Sequence, residues 1–266
     1  MDEPIMNGEQ LAEQTTINPW VLFAIGVLPV ILLACYVYYK DRNKEPIGML
    51  LKAFMYGVAT VPIVLLIHGF TSLIGLYQIV NLLPITRAFI SAALVEESVK
   101  FFFLKRLVWK SPEFDERFDG IVYATFVSLG FACVENLMYI FQYVPTEMAF
   151  STGLSRGLFA VPAHFLFAVI MGYYFGLARF SSGSRQTTYL VISLLSAVVF
   201  HGFYDYFLMA AEFVSSFSTT LSVLLTLAFY IFDFMLWKVA MKHMNKHQEE
   251  DRRFAANNWM DIYIQH

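Results

Sequence analysis

The sequence predicts an all-α, polytopic membrane bundle of about seven crossing helices. Three observations lead there. Of the 266 residues, 58% are hydrophobic and only 15% charged, and the mean hydropathy is +0.57, a balance too apolar for a soluble domain of this size. Apolar stretches long enough to cross a 30 Å hydrocarbon core recur along the chain. Lysine and arginine are sorted between alternate connections.

The stretches fall at about 19–39, 48–69, 85–108, 119–143, 157–179, 188–211 and 217–241, the second running on towards Asn81. The connection after the first holds Lys40, Arg42 and Lys44, and the next alternate one holds Lys105, Arg106, Lys110 and Arg117. Arg179 and Arg185 follow, then Lys238, Lys242, Lys246, Arg252 and Arg253, whereas the opposite side has Arg87 and Arg156. The positive-inside rule therefore sets the N-terminus outside and the C-terminus in the cytoplasm, which requires an odd number of crossings. The acidic start, MDEPIMNGEQLAEQ, lacks the basic region of a cleaved signal peptide. With short loops and no linker, 1–266 reads as one transmembrane domain, with 1–18 outside and 243–266 a loosely ordered or interfacial cytoplasmic tail whose His243, His247 and His266 are solvated. Cys35 and Cys133 lie inside spans as small buried hydrophobes, and no disulfide framework is implied. Asp233 and Lys52 suit a structural ion pair. No basic stripe for nucleic acid is present.

Titratable groups inside the spans fall into four clusters. The third span carries Glu96, Glu97 and Lys100, the fourth Glu135 followed by Asn136, the fifth His164, and the sixth His201 and Asp205. A charged carboxylate at the bilayer centre costs about 2.5–3.5 kcal/mol even on lenient scales, so these groups require partners or a function. Glu96 and Lys100, like His201 and Asp205, are four apart and share a helix face; Glu97 and Lys100 are three apart. At 1.5 Å per residue, Glu96 lies about 17 Å below the outer surface, His164 about 12 Å, His201 about 10 Å, and Glu135 and Asp205 about 6 and 4 Å. The four clusters thus overlap in depth, from about the midplane through the outer half of the membrane. Any one pair could simply set helix register; the set points to a site.

A desolvated glutamate beside a like charge can take a proton from water, and a histidine held by an aspartate can support a developing oxyanion. Neither a GxSxG nor an HExxH motif occurs. The same residue types could hold zinc with an open position for water, with Glu97, Glu135, His164, His201 and Asp205 as candidate ligands. Metal-free and zinc-assisted hydrolysis both remain open at this point. A proton- or ion-coupled transporter or channel is the alternative, but it would spread its ionisable groups across the bilayer. Phe131 reads as packing, Asn136 as a support or a helix cross-link, Arg156 as a ligand for headgroups or a substrate acid, and Pro162 as a bend before His164.

The motifs EESVK (96–100), FACVE (131–135), His164 in VPAHFLFAVIMG, and HGFYD (201–205) resemble the EExxK, FxxxE, H and HxxxD set of the PrsW family of intramembrane proteases. FDGIVYATFVSLGFACVEN is similar to that family's DGIVYG and GFAxxEN segments, with Ala124 and Ser128 where glycines are more usual. The resemblance runs from about Ala92 to Tyr206. It implies a multi-pass protease of a bacterial or archaeal cytoplasmic membrane that cuts a single-pass membrane protein, such as an anti-sigma factor, on its outer side. Residue by residue, it implies Glu96 and Glu97 as base and support, Glu135 and His164 as groups that position water or substrate, and His201 with Asp205 as stabilisers of the tetrahedral intermediate. In the wider clan of CAAX-processing proteases the second motif ends in histidine; here it ends in Glu135.

Overall fold

The computed structural model describes residues 17–142 and 147–264, and every regular element among them is helical. The acidic N-terminal stretch, the end of the fourth predicted span at Tyr143, and His266 lie outside the described residues. Helix α1 spans Pro19–Lys40 and α2 Ile47–Leu73, followed by the short α3, Leu76–Val80. One helical run then combines α4 (Pro84–Thr86), a π-helical stretch (Arg87–Leu94) and α5 (Val95–Val108). Beyond it come α6 (Arg117–Phe141), α7 (Glu147–Leu158), α8 (Ala160–Arg179), α9 (Gly183–Ser215) and α10 (Thr219–Ile264). The chain is a multi-pass helical membrane protein. Among the described residues, six helical segments are long and apolar enough to cross a membrane, with α7 and α8 together making one. The run from Pro84 to Val108, predicted as the third span, fails that test because it carries Glu96, Glu97, Lys100, Lys105 and Arg106.

Local chemistry explains the boundaries. Asn18 caps α1 by accepting from the Trp20 N–H at 2.9 Å, and Pro19 stands at the first helical position, where its missing N–H costs nothing. At the other end Lys44 Nζ donates to the carbonyls of Tyr38, at 2.6 Å, and Asp41. Glu116 and Asp119 form a capping box at the start of α6. The predicted bend in the fifth span is a break at Phe159, between α7 and α8. Pro162 causes it, since its ring clashes with a helical carbonyl four residues back.

Helices α6 and α8 form the buried centre, with α1, α2 and α9 packed around them. Small residues let them approach: a Cβ on Gly120 would lie 2.7 Å from the Gly172 carbonyl oxygen and 2.8 Å from the Gly176 nitrogen. Leu66, 72% exposed, typifies the outer surface, which suits lipid rather than water. Cys35 also faces outward, so only Cys133, partly covered, resembles the buried hydrophobe expected. Lys52 is exposed, and no ion pair joins it to Asp233 among the described residues.

The tail departs most from expectation. Helix α10 runs for 46 residues, about 69 Å, so it projects well beyond a 30 Å core. His247 is fully buried, donates through Nε2 to the Tyr173 carbonyl at 2.8 Å and stacks on that ring; His243 is half-buried beside it. Asp251 accepts from the N–H groups of Arg117 and Phe118 at 3.3 and 3.0 Å, capping α6 from another helix. These contacts are tertiary, and helical periodicity in the tail alone does not announce them.

The α1–α2 connection buries Asp41 and Glu45, and the Tyr123 hydroxyl donates to Glu45. Burial pushes the Glu45 carboxyl up from 4.5 to about 7, and Asp41 up to about 6. Between pH 4.5 and 7 the folded protein therefore holds a proton on Glu45 that the unfolded chain has lost, so this stability is present at low pH and fades as pH rises through 7. Glu45→Gln mimics the protonated form. It is expected to raise the unfolding temperature in detergent at pH 8 and leave it unchanged at pH 4; a gain equal at both pH values would contradict the assignment.

Candidate active site

Helix α5 presents Glu96, Glu97 and Lys100 to the interior, all at least 93% covered. Lys100 Nζ lies 2.6 Å from Glu97 Oε1, 3.5 Å from Glu96 Oε2 and 3.3 Å from His164 Nδ1, above the Phe131 ring at 4.3 Å. Phe131 is thus packing, as expected, but packing against an ammonium. The π-helical stretch immediately before α5 closes on α9 next to His201, because Gly202 leaves room for the Phe89 ring.

Both imidazoles are held in the same manner. His164 Nε2 is 2.9 Å from Glu135 Oε2, while its Nδ1 faces Lys100. Since the ammonium can only donate, Nδ1 accepts and Nε2–H donates to Glu135. His201 Nδ1 lies 2.9 Å from Glu97 Oε1, and its Nε2 lies 3.4 Å from Asp205 Oδ2. Each ring therefore turns Nδ1 towards the α5 cluster and backs Nε2 with a carboxylate. Phe167 stacks on His201 with centroids 4.8 Å apart, and Ser128 Oγ donates to the His164 carbonyl at 2.9 Å. The serine standing where a glycine is more usual thus ties α6 to α8 directly beneath the imidazole.

The structure brings together all six predicted catalytic residues, Glu96, Glu97, Glu135, His164, His201 and Asp205, with Lys100 at their centre. Asn136 does both jobs considered for it: Nδ2 donates to the Gly26 carbonyl at 2.9 Å, cross-linking α6 to α1, and Oδ1 accepts from Arg156 Nε at 3.2 Å. Arg156 is the residue whose part the sequence understated. Its Nη2 is 2.7 Å from Glu135 Oε2 and its guanidinium lies over Tyr139 at 3.9 Å. It turns inward to Glu135 from a short helix that the hydropathy reading leaves almost wholly outside the fifth span. Tyr139 and Tyr204 line the site too, and neither has a sequence signal distinct from ordinary membrane aromatics.

Glu96, Glu97, His164 and His201 each offer one ligand atom, all within 4.8 Å of one another. Two observations fit this quartet to a divalent cation. Glu96 Oε2 is buried and accepts no hydrogen bond, and two carboxylates facing one ammonium leave a net negative charge. A carboxylate behind the second nitrogen of each histidine is the usual support of a zinc-binding imidazole. Two carboxylates and two imidazoles are zinc donors, and a catalytic zinc site uses three protein ligands and keeps one position for water.

Comparison with known proteins agrees with this geometry. The family described as PrsW family intramembrane metalloprotease matches residues 45–235. The chain is 40% identical over 192 residues to a protein named Protease PrsW from Geobacillus kaustophilus, covering 72% of this chain and 81% of that one. A Protease PrsW from Bacillus subtilis is 37% identical over 193 residues, covering 72% and 84% of the two chains. One from Clostridioides difficile is 29% identical over 239 residues, covering 89% and 95%. No solved structure matches the chain. Four helices that gather carboxylates and imidazoles around one buried lysine, in a chain so related to these proteases, make this membrane peptidase a member of the PrsW family.

Proposed function

We propose that the protein cuts a single-pass membrane protein, such as an anti-sigma factor, on the outer side of a bacterial cytoplasmic membrane. The observation that carries this reading is the buried quartet of Glu96, Glu97, His164 and His201, backed by Glu135 and Asp205. Glu96 is the general base, because its Oε2 accepts no hydrogen bond and the side chain borders the cavities beside the site. Glu97 cannot serve equally well, since its Oε1 already takes Lys100 and His201.

Glu97, His164 and His201 would hold zinc, with Glu135 and Asp205 fixing the two rings. The chemistry such a zinc would supply is a bound water with its pKa lowered to about 7 and Lewis acidity towards the scissile carbonyl. Lys100, 2.6 Å away, holds Glu97 in place, and Arg156, 2.7 Å away, does the same for Glu135. After it has taken the water proton, Glu96 can return that proton to the leaving amine, which balances the step with one carboxyl group. Water reaches the site through a cavity of about 250 Å³ that Arg156, Tyr204 and Asp205 line.

Metal analysis of the purified protein, with cleavage of a co-expressed single-pass substrate, tests this. The expected results are about one zinc per chain, loss of zinc in His164→Ala, activity lost to a chelator and restored by zinc, and fragments that locate the cut in the outer half of the substrate span. Full cleavage by zinc-free protein would remove the metal from the scheme. A cut in the cytoplasmic half would overturn the orientation.

A further inference from the structure

Glu96, Glu135 and Tyr139 form a partition between two cavities. The histidines line one side. On the other is a cavity of about 320 Å³ between α2 and α6, walled by Val61, Val64, Leu65, Phe131 and Met138. Leu65 and Met138 are 48% and 43% exposed on membrane-crossing helices, so the cavity opens between the outer ends of these helices, on a side that lipid can cover. Its volume is near the lower limit of ligand pockets, about 300 Å³, and a helix about 10 Å across does not fit. What fits is an unwound stretch of main chain with one large apolar side chain.

His68, also on this wall, was not singled out by its sequence context. Its Nε2 is 2.9 Å from the Ser91 carbonyl oxygen. A carbonyl only accepts, so Nε2 carries the proton and Nδ1 is an acceptor, with no partner among the described residues. Ser91 belongs to the π-helical stretch that leads into Glu96, and π turns of this kind concentrate at functional sites. His68 thus joins the cavity wall to the backbone that carries the proposed base.

We propose that this cavity is the subsite for an apolar side chain flanking the scissile bond, and that His68 positions the substrate main chain by accepting one of its N–H groups. The proposal rests on the protease reading of the adjoining site. It commits to a substrate of stated chemistry: a membrane-embedded segment, locally extended, with a large aliphatic residue next to the cut. The occupant follows from the shared wall, because a side chain seated here holds its own peptide bond against Glu96 and Glu135.

The test compares matched single-pass substrates with Leu, Phe or Ala in turn at each residue flanking the cut. Wild type is expected to prefer Leu over Ala at one of them. Val64→Phe fills the cavity and should lower the Leu-to-Ala ratio of kcat/KM about tenfold, while Met138→Ala widens it and should shift preference to Phe. His68→Ala should raise KM with kcat largely kept, and His68→Gln, which retains a donor for Ser91 and an acceptor, should restore KM. Should Val64→Phe not fold, Met138→Ala decides alone. Unchanged side-chain preference in the folded variants, or a His68→Ala protein with normal KM, overturns the subsite; a wild type that cleaves none of the substrates would instead overturn the substrate reading beneath it.

Discussion

Replacing Glu96 with Gln is expected to lower cleavage of a membrane-anchored substrate by about 10³-fold or more, with the protein still folded. The substitution keeps the shape of the side chain and removes its charge and its ability to take a proton. Its structural cost is small because Glu96 Oε2 accepts no hydrogen bond and lies 3.5 Å from Lys100, which retains its closer partner Glu97 at 2.6 Å. The measurement is initial cleavage rate at matched protein level, with helical content and unfolding temperature as controls. Activity within tenfold of wild type would exclude Glu96 as the base and pass the role to Glu97. Glu97→Gln should behave differently, losing zinc and stability together, because that carboxylate is held by both Lys100 and His201.

Lys100→Met should destabilise the fold by about 3–5 kcal/mol, the cost of leaving buried charge uncompensated, and should also abolish cleavage. Lys100 is 2% exposed and answers two carboxylates that are 7% and 1% exposed. Methionine fills the volume but leaves Glu96 and Glu97 adjacent with no ammonium between them. The double variant Lys100→Met, Glu97→Gln should recover much of the stability and none of the activity, since it removes one charge along with its partner. Denaturant unfolding in detergent measures both. Equal stability of wild type and Lys100→Met would show that the pair does not hold this part of the fold together.

How far each residue could be read in the sequence depends on whether its cost is local. Glu96, Glu97, Lys100, Glu135, His164, His201 and Asp205 stand out because an ionisable group inside an apolar run is costly wherever it points. Their common depth follows from counting along helices, and the structure joins Glu135, His164, Lys100, Glu97 and His201 into one hydrogen-bonded chain, with Asp205 3.4 Å from His201 and Glu96 3.5 Å from Lys100. Arg156 and His68 carry no such local cost. Arg156 lies at a span entrance, where arginines commonly meet headgroups, and only the fold turns it towards Glu135. His68 closes a predicted span beside exposed apolar residues, and its meaning depends on a carbonyl 23 residues away. His247 is the opposite case: a polar neighbourhood suggested solvent, yet Tyr173 covers it.

The sequence by itself determined the helical membrane class, the approximate positions of the spans and the residues whose burial demands a partner. These follow from free energies that each residue carries along one helix: transfer from water, charge burial and helical periodicity. Tertiary structure decided which nitrogen of each histidine faces the glutamates, which glutamate is already held by other groups, and which wall of the site is apolar. Those depend on distances between helices, set by close approaches such as Gly120 against Gly172, and helix spacing and rotation leave no mark in a one-dimensional pattern. The glutamate pair of α5 shows both levels: its charge is conspicuous in the sequence, whereas the difference between Glu96 and Glu97 arises from where α9 places His201.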